Sequence, residues 1–335
     1  MLKLLSFHPF PLHLTLVHGI GGQMRILVVG AGAVGGYFGG RLARTGRDVT
    51  FLVRPQRAEA LRARGLQIVS PHGDSTVHPK TITTAELTSA YDVIFLSVKS
   101  YSLPSAMDDF SAAIGPQTVI VPVLNGMRHM DVLTDRFGKH AVLGGVCVVA
   151  TEIDPQGRII QLADFQSLRY GELDGQKTER VEAADQALRD AGFDAAISTQ
   201  ILQDMWQKWV QLASLGAITC LLHGNIGEIV AVPGGADLSL TALSECAAIA
   251  GACGYPPSAA FLAEKSAQQT ATGSPLASSM YRDFRKGAPV EADAILGDLI
   301  ERAEKHNISA PLLQAAFVSL SMYQRERYRG KASAA

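Results

Sequence analysis

Residues 24–57, MRILVVGAGAVGGYFGGRLARTGRDVTFLVRPQR, constrain this chain more than any other stretch. A run of branched apolar residues at 26–29 reads as a short buried strand. Gly30, Gly32 and Gly35 follow at the G-x-G-x-x-G spacing, then a helix over about 34–45 closed by Gly46, then a second apolar strand over 48–53. Alone, the glycine pattern is weak evidence. Between a strand and a helix it marks a loop that holds a dinucleotide. The first glycine makes the tight turn, the second admits a pyrophosphate to the backbone, and the third lets helix and strand pack closely. The backbone of Gly30, Gly32, Ala33, Val34 and Gly35 is therefore the expected cofactor cradle. The helix N-terminus adds unpaired N–H groups and positive dipole.

The end of the second strand indicates which dinucleotide. An acid about 20 residues past the glycines would bind a ribose 2′-hydroxyl. Arg54 stands there instead, with Arg57 close behind and no acid between Val49 and Gln56. A guanidinium fork suits a 2′-phosphate, and a carboxylate repels one. Against the plain alternative of a solvated loop arginine, NADP(H) is the expected cofactor.

With 335 residues, 47% of them hydrophobic, the chain can bury two cores, and two domains is the natural reading. A formal net charge of −1 carries no electrostatic footprint for nucleic acid or an acidic membrane surface. The 4 cysteines lack CxxC spacing and sit in apolar runs, as reduced core thiols of a cytoplasmic protein do. The 9 histidines form no HxxxH or HExxH pair, so no metal site is expected. No apolar run approaches the ~20 residues of a transmembrane helix. Residues 1–23 carry one lysine and some apolar character, but Pro9, Pro11 and three histidines break the run. Gly21-Gly22-Gln23 is also a poor cleavage site. The segment reads as a poorly ordered extension, or an over-called start, ahead of Met24.

Downstream, 58–64 reads as a short basic helix, and 92–98 and 118–124 as buried strands ending in Lys99-Ser100-Tyr101 and Asn125-Gly126-Met127. Ligands of an open parallel sheet bind outside the carboxyl ends of its strands. Gly30, Arg54, Lys99 and Asn125 all stand at such ends. Singly, Lys99 reads as a solvated charge and Asn125 as an Asn-Gly turn; together they point to a site. From residue 141, β-rich segments with turns at Asp154-Pro155 and Asp174-Gly175 should add antiparallel strands to the sheet edge. A helix over 179–191 and a last strand follow. Beyond residue 199 the pattern is helical over 200–222, 238–253, 258–272, 275–286, 291–305 and 311–328. Ser274 should cap the fourth of these, with Pro275 at its first position. The expected fold is α/β, a doubly wound parallel sheet over 24–199, then an all-helical region over 200–330 and a tail at 331–335. The substrate cleft should lie between the two.

Three helical positions carry candidate chemistry. Lys208 lies about two turns into its helix between Trp206 and Trp209, where its pKa can fall and it can donate a proton. Ser279 and Glu291, taken singly, are an ordinary polar position and a solvated carboxylate. As a series, however, ILVVGAGAVGGYFGGRLA, Arg54, FLSVKS, VLNGM, the WxK of Lys208, SSMYRD and VEAD resemble the ketopantoate reductase family from Met24 to about Tyr328. The resemblance implies a Rossmann domain followed by a helical domain, and reduction of 2-dehydropantoate to pantoate with NADPH. It implies that Gly30, Gly32 and Gly35 cradle the pyrophosphate and that Arg54 holds the 2′-phosphate. Lys99 and Asn125 would lie on the nicotinamide side of the cleft and touch substrate. Lys208 would give the proton, Ser279 bind substrate, and Glu291 stand beside the active site and cofactor. Glu291, if near Lys208, would hold the ammonium charged.

One departure matters. The family's helix carries asparagines four and eight residues after the lysine, where this chain has Leu212 and Gly216. Thr219 shares that face and Ser214 lies off it, which leaves the face apolar and partly open. The reaction class survives this; the substrate is loosened. The leading reading is a 2-dehydropantoate reductase of pantothenate biosynthesis acting on a small 2-oxo acid. A second is a paralogous reductase of another 2-oxo acid or carbonyl, opine-dehydrogenase-like. A third is a non-catalytic NADP-binding regulator, against which Lys99, Asn125, Lys208, Ser279 and Glu291 speak. The apolar faces at Leu312, Leu313, Phe317 and Leu320 belong either to the core or to a homodimer interface.

Overall fold

The computed structural model describes residues 23–332; residues 1–22 of the extension expected at 1–23, and the last tail residues, 333–335, lie outside the described residues. The chain opens with β1 (Arg25–Val29), α1 (Ala33–Arg44), β2 (Asp48–Leu52), α2 (Pro55–Arg64), β3 (Leu66–Val69), β4 (Ser75–Val77) and β5 (Lys80–Ile82). Then come β6 (Val93–Leu96), α3 (Leu103–Phe110), β7 (Val119–Pro122), α4 (Arg128–Phe137), β8 (Gly144–Ile153), β9 (Ile159–Gly171), α5 (Glu179–Leu188) and β10 (Asp194–Ile197).

Five strands form one parallel sheet in the order β5-β2-β1-β6-β7. Its inner strands are unbroken apolar runs because both faces are covered; Ile26, Leu27, Val28, Phe95 and Leu96 are all fully buried. Strand order reverses between β1 and β6. At such a switch point an open sheet leaves a crevice for a ligand. The glycine loop leaves β1 at this place, and Lys99 follows β6.

The strands beyond residue 141 do not extend that sheet, contrary to expectation. They form a second one in the order β10-β9-β3-β4, with β8 antiparallel to β9. β9 is one strand of 13 residues, and it recruits β3 and β10 in parallel. A single bridge, Ile120 to Val142, joins the two sheets. α1 lies between them with a glycine-rich inner face, and a methyl group at Gly39 would sit 2.6 Å from the Phe51 ring.

The remainder is helical: α6 (Ile201–Leu221), α7 (Ile226–Val230), α8 (Gly235–Ala252), α9 (Ala259–Gln269), α10 (Ser279–Arg285), a π-helical turn (Asp293–Gly297), α11 (Asp298–Lys305) and α12 (Pro311–Ala332). α6 is the axis, with α8, α10 and α12 packed around it. One apolar core runs from Leu27, Ile94 and Ile120 on the sheet through Trp209 and Leu296 to Leu320. Leu313 and Leu320 are therefore core residues, not interface. No described helix is long and apolar enough to cross a membrane.

The helix expected from residue 275 starts later. The backbone before it pairs with α7 instead: Ile226 N–H donates to Leu276 O (2.9 Å) and Gly227 N–H to Ser274 O (2.8 Å). Ser278 is the cap, its Oγ accepting from Tyr281 N–H at 2.9 Å. α12 runs four residues past the expected end, so residues 331 and 332 are helix, not tail.

Candidate active site

The glycine loop is built for close approach. Gly30 has φ +100°, and the Ser97 hydroxyl behind β6 donates to the carbonyls of Val29 (3.2 Å) and Gly30 (3.0 Å). At Gly35 a Cβ would stand 2.0 Å from Ser97 Oγ and 2.1 Å from Gly30 O, so only glycine lets α1 sit on the loop. Gly32 is the opposite case: a Cβ there would meet nothing within 4 Å. Gly32 caps α1 without a side chain, and the first turn holds no acid. Open space, free N–H groups and no competing negative charge fit a dinucleotide pyrophosphate.

At the end of β2, Arg54 is exposed and serves as the backbone N-cap of α2, and its side chain has no hydrogen bond or ion pair among the described residues. Arg57 is better placed than its sequence position suggested. One helical turn on, it points back and donates to Ala31 O in the glycine loop at 3.3 Å. Burial, and then the charge of Arg64, lower its pKa. It is a half-buried cation without a carboxylate partner among the described residues.

Of the predicted site residues of the helical region, Glu291 meets the loop after β6. Lys99 Nζ lies 3.0 Å from Asp283 Oδ2 and 3.0 Å from Glu291 Oε2. The other oxygen of Glu291 accepts the Ser100 N–H at 2.9 Å. Glu291, expected to support Lys208, is thus consumed by the loop after β6. A buried carboxylate needs both charge and N–H partners, and this loop supplies both. Burial disfavours the Lys99 ammonium, but Glu291 and then Asp283 outweigh it and raise its pKa above the ordinary 10.5. That contribution to stability is complete below the ordinary value, and it is lost only as pH rises through the higher folded one.

Lys208 is half-buried, and its ammonium has no hydrogen bond or ion pair among the described residues. Its neighbour Trp209 donates to Ile295 O in the π-helical turn at 2.9 Å. Gly126, with φ +80°, brings the Asn125 loop to the same turn: a Cβ there would lie 2.3 Å from Ala294 O and 3.8 Å from Trp209 Nε1. Asn125 itself makes no hydrogen bond among the described residues. Ser279 opens α10 with a free hydroxyl, while its neighbour Ser278 is spent on the cap and on Thr219 Oγ1 (2.9 Å).

The face of α6 beyond Lys208 is apolar but not open. Leu212 is half-buried, and Met280 Cε stands 2.8 Å from where a Cβ at Gly216 would be. Thr219 and Ser214 are turned inward, donating to Leu215 O (2.6 Å) and Val210 O (2.8 Å).

A cavity of about 770 Å³ lies between the loops after β6 and β7, residues 290–294 and α12, lined in part by Asn125, Glu291 and Phe317. Lys99, Lys208, Ser279, Arg54 and the glycine loop do not line it. His129, which sequence reasoning passed over as one of many scattered histidines, does. It is 4% exposed, and neither ring nitrogen has a partner. Burial, and then the Lys208 charge, push its pKa from 6.5 down to about 3. Between those values only the unfolded chain takes the proton. Stability should therefore fall with pH below ~6.5, by up to about 1.4 kcal/mol per pH unit from this group. Arg128, Glu291, Asp293 and Arg325 are the other charged groups on the cavity. Thermal melts at pH 7 and pH 5 check this, and His129→Leu should flatten the difference. Among the described residues no cluster of three His, Cys, Asp or Glu could hold a metal.

Residues 26–175 match the family model described as ketopantoate reductase PanE/ApbA, and 200–324 match its C-terminal counterpart. The chain is 37% identical over 304 residues to the uncharacterized oxidoreductase YkpB of Bacillus subtilis, covering 91% of this chain and 100% of that protein. It is 27% identical over 326 residues to 2-dehydropantoate 2-reductase of Mesorhizobium japonicum, covering 91% and 99%. The structure of 2-dehydropantoate 2-reductase from Methylococcus capsulatus superposes with a TM-score of 0.80 at 27% identity, covering 91% of this chain and 98% of that one. A D-mandelate dehydrogenase shares the fold, with a TM-score of 0.81 at 19% identity over 91% of this chain and 99% of that one. With both family models matched in order and a dinucleotide loop at the switch point, the chain belongs to the PanE/ApbA ketopantoate reductase family of dinucleotide-binding oxidoreductases.

Proposed function

We propose that this protein reduces a small 2-oxo acid with NADPH, and that the substrate is 2-dehydropantoate, giving pantoate for pantothenate biosynthesis in the cytoplasm. The observation that carries the reading is Lys208, an ammonium at the junction without an anionic partner among the described residues, while Lys99 pairs with Asp283 and Glu291. Gly30, Gly32, Ala33, Val34 and Gly35 hold the pyrophosphate, and Arg54, backed by Arg57, takes the 2′-phosphate. When bound, the nicotinamide supplies the hydride. Lys208 stabilises the negative charge that grows on the substrate carbonyl oxygen and passes it a proton. The free Asn125 amide and Ser279 hydroxyl orient the acid. Glu291 and Asp283 act through Lys99, tying the loop after β6 to α10 and keeping the two halves in register. Residues 24–199 form the nucleotide unit and 200–330 the substrate unit. A second copy would pack on the exposed Val318, Met322 and Tyr328 of α12.

The test is NADPH oxidation with 2-dehydropantoate beside a panel of 2-oxo acids, with NADH as control. Efficient turnover with NADPH and 2-dehydropantoate is expected; NADPH binding with no turnover of any acid would sink the reading. Arg54→Gln should weaken NADPH binding roughly 10–100-fold, the worth of a charge-assisted contact, and leave NADH nearly unchanged. Fluorescence titration with each cofactor measures this.

A second substrate is favoured by one feature. Leu212 and the Met280 methyl over Gly216 offer nothing to a hydroxylated chain, so a branched-alkyl or aryl 2-oxo acid fits that wall. A tenfold or greater preference for such acids in kcat/KM, on the order of one lost hydrogen bond, would keep the chemistry and move the substrate.

A further inference from the structure

Besides Ser279, the polar groups at the junction that lack a partner among the described residues include the Asn125 amide, the Lys208 ammonium and the His129 imidazole. Neither the sequence motifs nor the family resemblance gives the third a role. Buried polar groups are as a rule hydrogen-bonded, and one left unsatisfied in a native fold calls for an explanation. His129 cannot easily relieve itself by moving its backbone. It lies in the first turn of α4, which follows the Asn125-Gly126 turn packed on the Ala294 carbonyl. Its ring lines the cavity of about 770 Å³ shared with Asn125 and Glu291, and the Lys208 charge reaches it. Both nitrogens are buried and unpartnered in a residue that lines the cavity, so a turn of the ring about its side-chain torsions is the motion that would present one of them.

We propose that His129 is a substrate-binding residue whose neutral imidazole turns one N–H to a carboxylate oxygen of the bound 2-oxo acid, in the cavity it shares with Asn125. This rests on the 2-oxo-acid reading above. The choice of residue has a physical reason. A cation at this buried position, added to Arg128 and Arg325 on the cavity, would repel Lys208 and disfavour its protonated form. A neutral imidazole supplies one donor with no charge, and its bond to a carboxylate is charge-assisted. The unsatisfied ring of the free protein is then the state that binding relieves.

The test compares wild type with His129→Leu and His129→Asn. The leucine variant should raise KM for the best acid of the panel roughly 10–100-fold, with kcat changed by less than about threefold. The Kd of oxamate, a non-reducible 2-oxo-acid mimic, should weaken by the same factor when titrated calorimetrically into the NADPH-loaded protein. NADPH affinity should stay within about twofold, and asparagine, which keeps a neutral donor, should recover part of the loss. Without ligand, the leucine variant should melt at or above the wild-type temperature, because two unsatisfied atoms are gone. If it does not accumulate, His129→Phe takes its place. Unchanged KM and oxamate affinity in a variant whose wild type turns over acid would overturn this role alone. Equal losses of NADPH and acid binding would overturn it too, as a sign of mere structural damage. A wild type that neither reduces nor binds any acid would overturn the function and this role together.

Discussion

Lys208→Ala is expected to lower kcat by roughly 10²–10⁴-fold, the worth of a positioned acid, while NADPH affinity stays near wild type. The reason lies in what surrounds the side chain. Its side chain has no ion pair among the described residues, while Asp283 and Glu291 are held by Lys99, at 3.0 Å each. Its charge is therefore free to meet the one that develops on the substrate oxygen. Lys208→Arg keeps the charge but cannot release a proton at working pH. Arginine should thus recover binding of the acid without recovering turnover. Single-turnover measurements at saturating NADPH separate the two effects; a loss in Lys208→Ala smaller than about tenfold would remove the lysine from the mechanism.

Gly35→Ala should be nearly as severe, through geometry instead of charge. The new methyl would arrive 2.1 Å from the Gly30 carbonyl and 2.0 Å from Ser97 Oγ. The hydroxyl can rotate away; the carbonyl belongs to the loop itself. Relief requires α1 to lift off the loop, which displaces the N–H groups that face the pyrophosphate. Overpacking of this kind costs about 1–3 kcal/mol of stability, and NADPH affinity should fall at least tenfold with it. Gly32→Ala is the control. Its methyl meets no protein atom, so it should fold normally and oppose only the bound pyrophosphate. A Gly35→Ala variant with wild-type NADPH affinity would contradict this account of the loop.

Much of this was legible in the chain because the relevant signals are local. A strand, three glycines, a helix and a second strand lie within residues 24–57, and the structure reproduces them to within a residue or so at each end. The second sheet was not legible in the same way. Alternating residues in β8 and β9 announce strands, but not which sheet they join. That choice is made by β3, about 90 residues upstream, pairing Ile68 with Ile159. The partner of Glu291 was misjudged for a similar reason: it is Lys99, 192 residues away, and not the lysine of its own helical region. Ser274-Pro275 carried a sound local capping signal, which lost to backbone pairing with α7. The π-helical turn leaves no periodic trace, and a histidine without a motif around it says nothing until its burial is known.

The paired indoles have a practical consequence. Trp206 and Trp209 are the only 2 tryptophans in the chain; their rings lie 4.9 Å apart, and both are essentially buried. All indole fluorescence of the molecule therefore originates at the junction, beside Lys208 and against the wide helical turn. Indole emission overlaps the absorption of a reduced nicotinamide and not that of an oxidised one. The protein thus carries an intrinsic optical probe, whose quenching would follow both the filling of the site and the redox state of what fills it, with no label attached.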